Sequence, residues 1–291
     1  MTSTVDKIRN AVYGKYPLIY LLTWEEGRAL QILEAFSAKL FGSESLHVWS
    51  CVNGFAGENK DPASALDSIL HGEKKGIFVL KDFSPFLNDP SVIRALRDAY
   101  YSLQTKDAYI FIVSPELTIP EALRKEMLLI DMDLPDENEI TKHIKKIQQS
   151  YPQSSLDDAV IGQMSFALRG LTLNEAGHII QRIFRTKKTE AAEILKEIFA
   201  EKEMIVKKTG YLEFIPPDYD IATIGGLDNL KDWLLKRERL FSKKALEDGV
   251  PVPKGMLIMG MSGCGKSLSA KAISALWHVP LFRISVCHVF A

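Results

Sequence analysis

Gly260-Met261-Ser262-Gly263-Cys264-Gly265-Lys266-Ser267 is the stretch from which the rest of this chain is read. Its G-x-x-x-x-G-K-S spacing is that of a phosphate-binding turn, the Walker A motif. A triphosphate is a dense anion. A tight turn can wrap it in backbone N–H groups only where side chains stay out of the way. Glycine at 260, 263 and 265 meets that need. A helix starting at Lys266 would aim its positive end at the same anion. Lys266 would then reach the β- and γ-phosphates and the Ser267 hydroxyl would ligate Mg²⁺. Leu268, next in the chain, closes the segment assigned to the nucleotide. The cofactors implied are ATP and Mg²⁺. Such a turn belongs between a buried strand and a helix. Met256–Met259 reads as the strand, Lys266–Trp277 as the helix and Leu281–Ile284 as a second strand. Cys264 reads as a small residue that fits the turn, although a thiol at a helix N-terminus can also be activated.

Upstream of the turn lie a loop, Glu247–Pro253, and a helix over Leu227–Leu246. Before that helix, residues 210–220 carry Pro216-Pro217. Neither a helix nor a central strand accepts two adjacent prolines, so a linker is expected there. Earlier still, short apolar runs alternate with helical patterns. Runs at Pro17–Thr23, Leu46–Trp49, Gly76–Leu80, Ala108–Val113 and Leu128–Met132 read as strands. Helices are expected over Glu25–Leu40, Ala63–Leu70, Pro90–Leu103 and Pro120–Glu126. Unbroken apolar runs separated by helices predict an open α/β sheet of parallel strands covered on both faces. From Asp136 the strands stop. Helical patterns follow at Glu137–Gln149, Leu156–Ala167, Thr172–Phe184 and Thr189–Glu203. Thr172 with Glu175 has the spacing of a capping box.

Bulk properties narrow the function classes. A formal net charge of −1 supplies no basic field for nucleic acid or a membrane surface. No apolar run approaches the roughly 20 residues needed to span a bilayer. Cys51, Cys264 and Cys287 are odd in number and widely spaced, which fits neither a disulfide framework nor a zinc site. A reducing compartment, the cytoplasm by default, follows.

Through these residues and the segments that flank them, the chain resembles the AAA-type ATPases. The segment Ile224-Gly225-Gly226-Leu227-Asp228-Asn229-Leu230-Lys231, then Pro253-Lys254-Gly255-Met256-Leu257 and the phosphate turn, looks like the entry of a AAA module. Ala270-Lys271-Ala272-Ile273 and Pro280-Leu281 are similar too. By that resemblance Ile224 and Gly225 would lie near the adenine. The first half resembles a degenerate AAA module. Ile110–Pro115 is similar to the sensor-1 strand, and Leu134-Pro135-Asp136 with the helices after it looks like the AAA lid. Its Walker A position reads Thr23-Trp24-Glu25-Glu26-Gly27-Arg28, with no lysine and with two carboxylates that would repel phosphate. Its Walker B position ends Leu80-Lys81-Asp82-Phe83, with Phe83 where a catalytic Glu is expected, so this half is expected not to hydrolyse ATP.

The resemblance implies a P-loop NTPase-like parallel sheet over 1–135, a helical lid over 136–209, a linker over 210–220 and, over 221–291, an incomplete second AAA module. A degenerate module followed by an intact Walker A is similar to the AAA proteins of cyanobacteria and plastid genomes known as the hypothetical chloroplast reading frame 46 family, which adds the plastid stroma as a compartment. The implied parent activity is ATP hydrolysis coupled to remodelling of a protein substrate by a self-associated ring.

Hydrolysis also needs an acidic pair on a later strand, a polar sensor and an arginine. Asp and Glu are absent after Asp248, so the second module holds no Walker B and reads as C-terminally truncated, with turnover not expected of it. The alternative is a non-catalytic scaffold built on the degenerate first half. Weaker candidates have plainer readings. The basic runs Lys142–Lys146, Arg185–Lys188 and Lys207-Lys208 read as solvated helix faces. Arg94 and Arg97 read as surface salt-bridge partners, although they fall where an arginine finger could lie. His178 reads as structural, and Trp24, Trp49, Trp233 and Trp277 as core or interface residues.

Overall fold

The structure, a computed structural model, describes residues 3–152, 156–188, 190–208, 212–215, 228–238, 255–261, 263–277 and 281–284. It divides into two compact units, residues 1–194 and 195–291.

The first unit is built on five parallel strands: β1 (Leu18–Leu22), β2 (Leu46–Trp49), β3 (Gly76–Lys81), β4 (Ala108–Ser114) and β5 (Met127–Asp131), in the spatial order β2-β3-β4-β1-β5. β1 is interior, with Leu18 opposite both Ile110 of β4 and Met127 of β5. All seven residues of β4 are buried. That is why the run AYIFIVS carries no polar alternation: helices cover it on both sides.

Successive side chains go to opposite faces. On one face Leu18, Tyr20, Phe78, Leu80, Ile110 and Ile112 pack on α3 (Pro62–His71) and α4 (Pro90–Leu103) through Leu66, Ile69, Val92 and Leu96. On the other, Ile19, Leu21, Ile77, Val79, Phe111 and Val113 pack on α1 (Thr4–Tyr13) and α2 (Glu26–Phe41) through Ile8, Ala11, Val12, Ala29 and Leu33. Each fully buried Leu, Ile or Phe contributes about 1.5–3 kcal/mol. The helices start where the sequence supplies caps. Ser3, Asp61 and Asp89 each accept a backbone N–H in the first turn.

The helical stretch comprises α5 (Glu137–Gln148), α6 (Asp158–Leu168), α7 (Leu173–Arg185) and α8 (Ala191–Lys208). Both halves of the Thr172–Glu175 capping box are formed, and Asp136–Glu139 makes a second at the start of α5. α5 packs against α6 and α7.

Several expectations are corrected in this unit. α1 was not read from the sequence at all. The helix expected over Pro120–Glu126 is a single 3-10 turn, Glu121–Leu123, because the chain moves straight into β5 at Met127.

In the second unit, β6 (Leu212–Ile215) lies within the stretch expected to be a linker. It pairs antiparallel with β7 (Leu281–Ile284), Leu212 opposite Ile284 and Ile215 opposite Leu281. α9 (Asp228–Glu238) is the described part of the helix expected over Leu227–Leu246, and α10 (Lys266–Trp277) matches the helix expected after the phosphate turn. α10 packs on α9 and β7. The parallel strand expected at Met256–Met259 does not form. Residues 255–261 are irregular, with Leu257 and Met259 each 82% exposed. A buried strand needs ladder partners on its flanks, and among the described residues none pairs with this segment. β7 takes its partner from β6 instead.

Candidate functional site

Two places bear on function: the glycine-rich turn before α10, and the turn between β1 and α2 that holds the corresponding position in the first unit.

The turn before α10 depends on its glycines. Gly263 and Gly265 have φ of +81° and +88°, the left-handed region that other residues enter at a cost. A Cβ on Gly260 would come within 2.6 Å of Cys264 Sγ, so a side chain at 260 would have to displace the exposed Cys264 thiol. The turn leads directly into α10. The Lys266 ammonium folds back over it and donates to the carbonyl oxygens of Gly260 at 2.9 Å and Met261 at 2.5 Å, with Cys264 Sγ at 3.8 Å. Ser267 and Leu268 are exposed on the first turn of α10. Ser269 N–H and Oγ donate to Gly265 O at 2.9 and 3.1 Å, which fixes the helix start on the turn. Gly260, Met261, Gly263, Cys264, Gly265, Lys266, Ser267 and Leu268 are thus contiguous around one exposed turn, while Ser262, Ile224 and Gly225 lie outside the described residues.

The corresponding turn of the first unit is closed by its own side chains. Glu25, the residue before α2, is buried, its side chain 5% exposed and that of Arg28 10% exposed. Glu25 Oε2 accepts from Arg28 Nη1 at 2.8 Å, and Glu25 Oε1 accepts from the backbone N–H of Leu173 at 2.6 Å. Leu173 is the first residue of α7. The Glu25 carboxylate therefore occupies a helix N-terminus, where unpaired N–H groups and the helix dipole favour an anion. Arg28 also donates to Asp133 O and Glu139 Oε2, both at 2.7 Å, so one guanidinium ties α2 to the chain ahead of α5 and to α5 itself. Glu26 is neutralised by Lys81 at 2.6 Å. The two carboxylates that suggested repulsion of phosphate are both ion-paired.

Around this clasp the expected catalytic positions are remodelled. Asp82 is exposed in a left-handed conformation with φ +49°. Phe83 is buried and lies edge-on to Trp49 at 5.3 Å, so it serves the core. Ser114, at the sensor-1 position, accepts from Ser84 Oγ at 2.6 Å within a buried hydroxyl chain that reaches Tyr20. Arg94 pairs with Asp98, and Arg97 lies 3.6 Å from Glu126. His178 is exposed on α7, and Trp24 is 78% exposed rather than part of the core.

Sequence reasoning missed the role of Arg28 and its partners Glu139 and Leu173. The local signal was present, since Glu25 and Arg28 stand three apart at the start of a helix. The long-range half of the clasp left no mark in the sequence pattern.

Comparison with known proteins agrees with this architecture. Residues 4–132 match the sequence model of the SpoVK-like AAA ATPase N-terminal domain, and residues 138–209 match that of the same family's second domain. The chain belongs to the SpoVK-like AAA ATPases. It is 35% identical, over 99% of its length, to the uncharacterized AAA domain-containing protein ycf46 of Guillardia theta, covering 58% of that protein. It is also 35% identical over its whole length to the ycf46 protein of Pyropia yezoensis, covering 60% of it. The chain thus spans about six-tenths of the length of these relatives. Among solved structures, C. elegans PCH-2 superposes with a TM-score of 0.48 at 12% identity, over 69% of this chain and 68% of that one. No described helix is long and apolar enough to cross a membrane.

Proposed function

We propose that this protein binds MgATP at the Gly260–Ser267 turn and that its first unit is a nucleotide-independent module. The observation that carries the reading is the turn itself: two left-handed glycines, a third glycine against which the Cys264 thiol lies, and a helix beginning at the lysine. These features fit a triphosphate. Backbone N–H groups of Gly263 to Lys266 would hold its oxygens, the Lys266 ammonium would leave its carbonyl partners for phosphate, and Ser267 Oγ would take Mg²⁺. Mg²⁺ would supply charge neutralisation between the phosphates. Lys266 and Ser267 position the nucleotide. Binding is the activity proposed for this chain. Coupling to a protein substrate and assembly into a ring belong to the same proposal by family membership.

The test is calorimetric titration of MgATP into the wild-type chain and into Lys266→Ala. Removing the ammonium is expected to weaken binding at least tenfold, about 1.4 kcal/mol. Equal affinity in the two proteins would end the proposal. A second reading, a scaffold that uses no nucleotide, is favoured by the Glu25–Arg28 clasp. It predicts no heat of binding in either protein.

A further inference from the structure

We infer that a groove between α1, α2 and α5 in the first unit receives an acidic amphipathic helix from a partner protein. The inference is independent of the phosphate turn.

The groove is an open cavity of about 650 Å³. Along α2 its lining runs from Arg28 to Leu40, a little over three helical turns, or about 18 Å. Its floor is apolar. Ile32, Phe36 and Leu40 stand at successive i, i+4 positions of α2, so they form one line parallel to the groove. From the opposite wall α1 contributes Val5 and Tyr13. The face of α1 with Ile8, Ala11 and Val12 is buried on the sheet, which turns Val5, Arg9 and Tyr13 outward. Tyr13 is 66% exposed, Val5 46% and Leu40 36%. Ile32 and Phe36 pack in part on the core beneath, and the open Val5, Tyr13 and Leu40 beside them group along a concavity, which marks a contact surface more often than scattered apolar side chains do.

The rim is positive. Lys39 on α2 and Lys142 and Lys146 on α5 are exposed, and no ion pair engages any of them among the described residues. The other charges that line the groove are already committed. Arg9 pairs with Asp6 at 2.6 Å, and the one lining carboxylate, Glu139, is held by Arg28. His143, half-buried between α5 and α7, is held toward its neutral form by burial and by Lys146. Three uncompensated ammonium groups therefore flank an apolar line from two sides.

That arrangement selects the occupant. An amphipathic helix lays apolar side chains spaced i, i+3, i+4, i+7 into such a line, and acidic residues on its flanks would meet lysines on both walls. A lipid surface needs apolar groups that protrude, whereas these line a concavity. A free nucleotide needs converging backbone donors, and no glycine-rich turn borders this groove.

The test uses the full chain and a fluorescein-labelled synthetic peptide of roughly 16 residues, with Leu at i, i+3, i+4 and i+7 and Glu on both flanks. Its partner probe is a peptide of the same composition with the Leu and Glu order scrambled. Anisotropy at low salt is expected to show saturable binding of the patterned peptide, at least about tenfold tighter than the scramble. Charge reversal by Lys39→Glu, Lys142→Glu and Lys146→Glu together should weaken it about tenfold or more. Reversal of the exposed Lys60 and Lys125 outside the groove should leave it unchanged. Circular dichroism and melting of both variants confirm that they fold. Because the triple variant could fail to fold, Tyr13→Asp is a second probe and should also weaken binding. Equal binding of patterned and scrambled peptides would overturn the proposal, as would undiminished binding to folded triple and Tyr13→Asp variants. Phosphatidylserine vesicles that sediment with the wild type but not the triple variant, when the peptide does not bind, would also overturn it in favour of a membrane.

Discussion

Glu25 and Arg28 form a buried ion pair at the start of α2. Both are nine-tenths or more buried, and the guanidinium makes contacts to Glu25, Asp133 and Glu139. Taking Arg28 away leaves the buried Glu25 carboxylate with no counter-charge, which typically costs about 3–5 kcal/mol. Arg28→Ala is expected to fall in that range by urea denaturation, and Glu25→Ala, after which Arg28 keeps Glu139, below it. Glu25→Leu with Arg28→Leu together should cost clearly less than the sum of the single changes, because no buried charge is left alone. A strictly additive pair would show that the two residues act separately. Both residues were visible in the sequence, where Glu25 read as one of two carboxylates that would repel phosphate; its partners, Arg28 and the backbone N–H of Leu173 at the start of α7, come only from the fold.

At the level of elements, the sheet and its order of strands and helices were legible because continuous apolar runs have few alternatives in a domain of this length. Caps were legible for the same local reason, and the Thr172–Glu175 box forms as its spacing predicts. Thr172→Ala should destabilise the first unit by about 1 kcal/mol, read as a fall in its urea midpoint. α1 escaped notice although Ile8, Ala11 and Val12 have helical spacing; only the sheet it covers makes that face meaningful. The Met256–Met259 strand failed for the opposite reason, since a run of apolar residues says nothing about whether partners flank it. pH dependence also belongs here. Burial is the main cause that holds both His143 and His47 below the ordinary histidine value of 6.5. The unfolded chain therefore binds these protons first. The stability they contribute is complete above about pH 6.5 and is lost as pH falls toward their folded values. Lowered carboxylates such as Asp133 and Asp107 act in a separate window, below 3.8. The melting temperature should drop between pH 7 and pH 5, and His143→Gln should reduce that drop without abolishing it.

Across the whole molecule, tryptophan positions give a probe for the first unit's cooperative core. Trp49 is fully buried against Phe83 and Phe86, whereas Trp24 is exposed. Unfolding of the sheet should move the emission of Trp49 to the red and leave Trp24 nearly unchanged. Trp49→Phe is expected to remove most of that shift, and a shift of undiminished size would place the signal elsewhere. The clasp has a consequence at this scale as well. A lid fastened by groups of its own chain faces a constant effective concentration of its fastener. Diffusible ligands rise and fall with the supply of fuel in the cell; Glu25 does not. On the proposed nucleotide-independent reading, the first unit is expected to give one limited-proteolysis pattern with ATP, with ADP and with neither, and so would not gauge the ATP-to-ADP ratio.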